Sequence, residues 1–213
     1  MLLLLLLLVA TAFITPAILP YGPAGRFVMG VQITLVLLAG LFAVAEHRRI
    51  VPILAVLSIL SIAVRWTEWF VPSTLLPALR DLSMLMSLAV LAVAVGINVF
   101  GPGKAVVDRI TGAVVLYLLI GVTWAIAYAI LHAYSPGAFT GADGMEPELE
   151  HWTYFSFVTL TTVGYGDIAP LTRAARSLAM LEALVGQLYP AVILARMVSL
   201  PSDRPPRSGG SQL

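Results

Sequence analysis

Cysteine does not occur among the 213 residues. Its absence excludes a disulfide framework, a thiolate metal site and a cysteine nucleophile. Charge is nearly as scarce, at 11% of residues against about 25% in ordinary globular domains. The formal net charge of +1 offers no basic surface for nucleic acid. No phosphate-binding P-loop, HExxH or GxSxG motif is present either. The chain therefore carries no enzyme signature and calls for no cofactor. What it has instead is apolar: 60% of residues are hydrophobic and the mean hydropathy is +0.97. Leu, Val, Ala and Ile runs of about 18 to 25 residues recur, the length that crosses a hydrocarbon core. These features predict a multi-pass integral membrane protein of the all-α class.

Breaks in the apolar runs at Pro, Gly and charged residues place the elements. Membrane helices are expected over about Leu2 to Leu19, Phe27 to Ala45, Ile50 to Val64, Leu82 to Phe100, Ile110 to Ala133 and Thr172 to Leu200. A short helix is expected over about Glu150 to Leu160, re-entering between the last two. Trp66 and Trp69 fit an interfacial belt. The leucine-rich start has no basic segment before it, since the first basic residue is Arg26. It reads as a membrane helix, with a retained signal anchor as the near-equivalent. The organisation is thus a four-helix membrane domain over 1–105, a second domain over 106–200 and a disordered cytoplasmic tail over 201–213.

Between the last two long helices stands Thr161-Thr162-Val163-Gly164-Tyr165-Gly166-Asp167. A lone Gly-Tyr-Gly would be read as a helix connection. The full run, at membrane depth, resembles the selectivity filter of the tetrameric potassium channel family, whose TVGYG carbonyls replace the hydration shell of the ion. Such a row of carbonyls needs positive φ at alternate residues, which Gly164 and Gly166 supply. The resemblance covers about residues 110–200. It implies a homotetramer with potassium held at Thr162, Val163, Gly164 and Tyr165, the Thr162 hydroxyl included, and with Gly166 closing the filter. Val163 and Tyr165 would point away from the axis.

The resemblance also assigns supporting positions. Trp152-Thr153-Tyr154-Phe155-Ser156-Phe157-Val158-Thr159 is similar to the family's aromatic pore helix. Tyr154 and Phe155 would form the cuff that braces the filter, next to Thr161. Val158 stands where some relatives place a carboxylate that pairs with the filter aspartate. Asp167 therefore needs another partner, Trp152 or Tyr154. Gly186 falls at the spacing of the family's gating hinge; helix packing is the plainer reading of a membrane glycine. Pro190 should kink the same region, and Gln187 and Pro190 would lie near the cavity wall. Glu182 is the only acid deep in its helix, and a buried carboxylate is expensive. It reads as a buttress reaching Ser or Thr hydroxyls behind the filter, with ion ligand as the alternative. His132 and His151 read as ordinary surface histidines rather than proton sensors.

A voltage sensor needs arginines every third residue along its fourth helix. The segment from Leu82 to Phe100 has none, so steep voltage dependence is not expected. With the amino end inside, Arg48, Arg49, Lys104, Arg109, Arg196, Arg204 and Arg207 face the cytoplasm. Five arginines face out, a weak positive-inside bias. Asp143, Glu146, Glu148 and Glu150 would then concentrate cations at an outer mouth, unless they are simply a solvated loop. The sequence reading is a potassium-selective channel of the plasma or inner membrane, with both termini cytoplasmic. Its partners are its own copies, membrane lipids and potassium ions. The alternatives are a poorly selective cation channel and a non-conducting scaffold or sensor subunit that retains a pore-like hairpin.

Overall fold

A computed structural model describes residues 1–18, 22–46, 49–71, 75–101, 106–141 and 149–198. Seven helices and one two-stranded ladder make up the described residues. They are α1 (Leu2–Ile18), α2 (Pro23–Ala43), α3 (Val51–Thr67), α4 (Leu76–Phe100), α5 (Val106–Tyr134), α6 (Leu149–Leu160) and α7 (Arg173–Val198). Strand β1 (Phe139–Thr140) pairs antiparallel with β2 (Ala169–Pro170), Phe139 opposite Pro170. Helices α2, α4, α5 and α7 are long and apolar enough to cross a membrane. Helix α3, with 17 residues, and α1 are apolar but shorter, running about 25 Å each.

Proline starts three of these helices. Pro23, Pro52 and Pro77 sit in the first turn of α2, α3 and α4, where a missing N–H costs nothing. Helix α1 carries a π-helical turn at Ala10–Ile14. That widening accommodates Pro16, which cannot donate to the turn before it.

The boundaries shift from expectation at two places. Helix α4 begins at Leu76, not near Leu82, so Arg80 and Asp81 lie inside it. The helix can include them because their charges are met. Arg80 Nη1 donates to both Glu68 oxygens at 3.0 and 2.9 Å, and its Nε donates to Asp81 at 2.8 Å. Helix α5 likewise starts at Val106 rather than near Ile110 and takes in Asp108 and Arg109.

The larger core joins α1, α2, α4 and α5 through Leu4, Leu8, Leu37, Leu88, Leu91 and Leu119, all essentially inaccessible. It runs across the expected domain boundary, so α5 packs against α1 and α4 as well as against α6. Small residues allow the close approach: Ser61 and Ser87 hydroxyls meet at 3.2 Å between α3 and α4. A second core of Tyr128, Phe139, Trp152, Phe155, Ile168 and Ala175 seats α6 against α5 and the ladder.

The two ends of the bundle are distinct. Met1, Ala43, Val99, Asp108 and Gly112 gather at one, and Arg196 reaches the Phe100 carbonyl there at 3.2 Å. Gly22, Trp69, Pro77, Tyr134 and Leu149 gather at the other. The alternation places the start of α6 on the side opposite Met1.

Candidate functional site

Helix α6 ends at Leu160, and the chain then changes conformation at every second residue. Thr162, Gly164 and Gly166 have φ of 60°, 57° and 80°. That alternation is the one a row of same-facing carbonyls requires. The start of the run is fastened to the helix it leaves. Thr162 N–H donates to the Thr159 carbonyl at 2.9 Å, while Val163 and Gly164 N–H both donate to the Val158 carbonyl at 3.0 and 3.3 Å. Thr161 caps the helix end by donating its hydroxyl to the Phe157 carbonyl at 2.6 Å. Residues 161–167 are all exposed in the single chain.

Two of the three left-handed positions are the glycines expected. Thr162 was not expected there, since a β-branched residue at positive φ is strained by about 1–3 kcal/mol. Its N–H bond holds it, and its hydroxyl accepts from Gln187 Nε2 of α7 at 3.0 Å. The sequence signal was its register, two residues before Gly164. Gln187, expected at a cavity wall, therefore reaches the base of the run itself.

Asp167 finds its partner in Tyr154, whose hydroxyl donates to Oδ2 at 2.7 Å. This decides between the two candidates: Trp152 Nε1 is buried and has no hydrogen-bond partner among the described residues. The Tyr154 bond holds the Asp167 carboxyl below its ordinary value of 3.8. The same bond pushes the Tyr154 phenol up to about 12. The rings of Tyr154 and Tyr165 lie parallel, their centroids 6.5 Å apart, so Tyr165 leans on α6 from outside. Val163 remains exposed in the single chain. Phe155 departs from the cuff role within its own chain. It turns inward, 4.8 Å from the Tyr128 ring and 5.5 Å from Phe139, because its side of α6 faces α5. His132 and His151 are half-buried rather than on the surface. The His132 ring packs 4.9 Å from that of Trp152.

Beyond Asp167 the chain is clasped. Gly141, at φ 76°, lies so close to the Asp167 carbonyl that a Cβ there would sit 1.9 Å from its oxygen. Only glycine permits that approach, and the β1–β2 ladder stands beside it.

Helix α7 backs the site. Glu182 is inaccessible and ties three helices together. Its Oε2 accepts from the Tyr128 hydroxyl of α5 at 2.6 Å, and its Oε1 contacts the Ser156 hydroxyl of α6. The Ser156 oxygen also lies 2.7 Å from the Gly121 carbonyl, so its single proton has two acceptors. One turn later, a methyl on Gly186 would lie 1.8 Å from the Leu160 carbonyl oxygen. Gly186 is therefore the crossing point of α7 with the end of α6. Pro190 lies within α7. Tyr189 reaches back to α5, donating to the Ala113 carbonyl at 2.6 Å. Asp143, Glu146, Glu148, Lys104 and the tail 201–213 lie outside the described residues; Glu150 is in the first turn of α6.

Residues 109–202 match the profile of a family described as ion channel. A rice protein (Oryza sativa subsp. japonica) named "Two pore potassium channel c" is 40% identical over 87 residues, which are 41% of this chain and 18% of that protein. "Protein LctB" of Geobacillus stearothermophilus is 39% identical over 92 residues, covering 41% of this chain and 66% of its own length. Its namesake in Bacillus caldotenax is 38% identical over 87 residues, covering 38% and 64%. The chain thus spans less than two thirds of each of these relatives. No solved structure matches it. The matched stretch is thus similar to a family of ion channels. Together with the apolar helices it makes the chain a multi-pass membrane protein.

Proposed function

We propose that this chain is the subunit of a potassium-selective channel, with Thr162 to Gly166 as its filter and four copies around the ion path. The observation that carries the reading is the alternation of positive φ at Thr162, Gly164 and Gly166. In a Thr-Val-Gly-Tyr-Gly run, that backbone directs successive carbonyls to one side, where four chains would surround a dehydrated potassium ion. The relatedness of the pore stretch to a protein named as a potassium channel supports the same ion.

Assembly explains surfaces that one chain leaves uncovered. Val163 and Tyr165 are exposed, as are Leu181, Leu184, Leu188 and Val192 along α7. Non-helical backbone at membrane depth is tolerable only when protein or a water-filled path surrounds it. A closed ring of copies meets that condition for residues 161–167. Helix α6 ends at the base of the filter, where its partial negative charge favours a cation. The Gln187 amide sits at the same level, and Gly186 and Pro190 below it supply the bend by which α7 opens or closes the path.

Six crossings, with α6 re-entering from outside, give a plasma or inner membrane channel with both termini in the cytoplasm. Helix α4 has a single arginine, Arg80, already paired with Glu68 and Asp81. Gating by voltage is therefore weak or absent. The test is ion flux through liposomes containing the purified tetramer. Potassium flux that barium blocks and sodium does not replace supports the reading. Equal sodium flux makes the pore poorly selective, and no flux from a verified tetramer makes the chain a scaffold.

A further inference from the structure

On the side away from Met1, the end of α1, the start of α2, the end of α3, the start of α4, the end of α5 and the start of α6 surround a cavity of about 580 Å³. This is within the usual size of ligand pockets, about 300–1,000 Å³. It lies apart from the filter, and nothing in the conduction mechanism uses it. Its charged lining is Arg26, Arg65, Arg80, Glu68, Asp81 and Glu150. Arg80 is satisfied by Glu68 and Asp81, both within 2.9 Å. Arg65 is half-buried, and its Nη2 donates to the Met84 sulfur at 3.1 Å, a weak acceptor. Among the described residues no carboxylate lies within 4.0 Å of its guanidinium. Arg80 takes up two of the three carboxylates, so Arg65 and Arg26 stand beside Glu150 in a lining whose three arginines and three acids balance.

Beside these charges the lining has an apolar wall that includes Met29, Ile33, Met84 and Ile126. At the rim, Phe27 packs edge-on against Trp66 and Trp69, with centroids 5.6 and 6.1 Å apart. An aromatic cluster at helix ends marks the level of lipid headgroups. We infer that this cavity binds a phospholipid, its phosphodiester held by Arg65 and Arg26 and an acyl chain lying along Met29, Ile33, Met84 and Ile126. Guanidinium is the side chain suited to a phosphate oxygen pair. The aromatic rim and the apolar wall favour a lipid over a free phosphate, which would leave that wall wet. Leu149 and Glu150, the opening residues of the pore helix, also line the cavity, so an occupant touches the pore domain and the first four helices at once.

The test is native mass spectrometry of the delipidated full-length protein, titrated separately with phosphatidylglycerol, phosphatidylcholine and soluble glycerol phosphate. The expected result is one phospholipid retained per chain, phosphatidylglycerol and phosphatidylcholine alike, because the phosphodiester is common to both and the charged lining is neutral in sum. Arg65→Gln should weaken retention about tenfold, as expected for losing a charge-assisted phosphate contact. Arg26→Gln, at an exposed side chain, should weaken it without threatening the fold, so it decides the matter if Arg65→Gln does not fold. Retention unchanged in Arg26→Gln, or in a folded Arg65→Gln, overturns the proposal. Displacement of the lipid by glycerol phosphate at equal concentration also overturns it, by making the site one for soluble phosphate.

Discussion

Glycine at 164 and 166 and threonine at 162 share one backbone requirement but meet it differently. The glycines adopt positive φ without steric cost, while Thr162 needs the Thr159 carbonyl and the Gln187 amide to hold it. Gly164→Ala should therefore abolish potassium selectivity. Reversal potentials in a potassium–sodium gradient measure this, and an unchanged potential would remove Gly164 from the filter. Glu182 allows a sharper distinction. A carboxamide there can accept from Tyr128 and donate to Ser156, freeing the serine proton for Gly121. Glu182→Gln should accordingly fold and assemble normally. Glu182→Ala strands the buried Tyr128 hydroxyl, while Ser156 can still donate to Gly121; the cost of about 1–3 kcal/mol should lower the melting temperature. Asp167 yields a prediction in pH. Its folded pKa is depressed by Tyr154, so the pair's contribution is present above the unfolded value and is lost as pH falls through the folded one. Conductance that depends on this pair should stay flat from neutral pH down to about pH 4. In Tyr154→Phe the loss should begin at higher pH, which recordings during acid titration would detect.

At the scale of elements, hydrophobic run length located the long helices α2, α4, α5 and α7, because crossing a hydrocarbon core demands a fixed length. Ends were less legible. The sequence reading stopped α4 short of Arg80 because charge usually ends a membrane segment. Here Glu68, twelve residues earlier and just past the end of α3, pairs with it, and such a partner is visible only in three dimensions. The same limit applied to Asp167, whose two possible donors could not be separated until the turn of α6 placed Tyr154 beside it. Phe155 faced inward for a reason that lies in α5, not in its own helix. Gly186 was legible as either hinge or packing residue, and the 1.8 Å clearance to the Leu160 carbonyl makes the packing concrete. Gly186→Ala should push α7 off the end of α6. The expected outcome is loss of the proposed tetramer in size-exclusion chromatography or of potassium flux, whereas Gly96→Ala, whose Cβ would meet only a side chain at 3.6 Å, should be tolerated.

For the whole molecule, the pore stretch was readable because its motif is a backbone specification written in residue types. The first four helices carry no such specification, and the Arg65 cavity emerged only once six helix ends were brought together. The acids at 143, 146, 148 and 150 belong to this scale as well. Replacing all four with amides should lower conductance at low salt and leave it unchanged at high salt, since screening shortens their reach. Equal conductance in both would make them solubilising residues.

Residues 161–167 lie bare on the single chain, and this has a genetic consequence. If no copy can finish a filter by itself, every copy in the proposed ring has a veto over conduction. A cell expressing normal and Gly164→Ala chains equally would assemble only about one all-normal tetramer in sixteen under random mixing. Such a mutation would therefore behave as dominant, and one altered allele would silence most of the current.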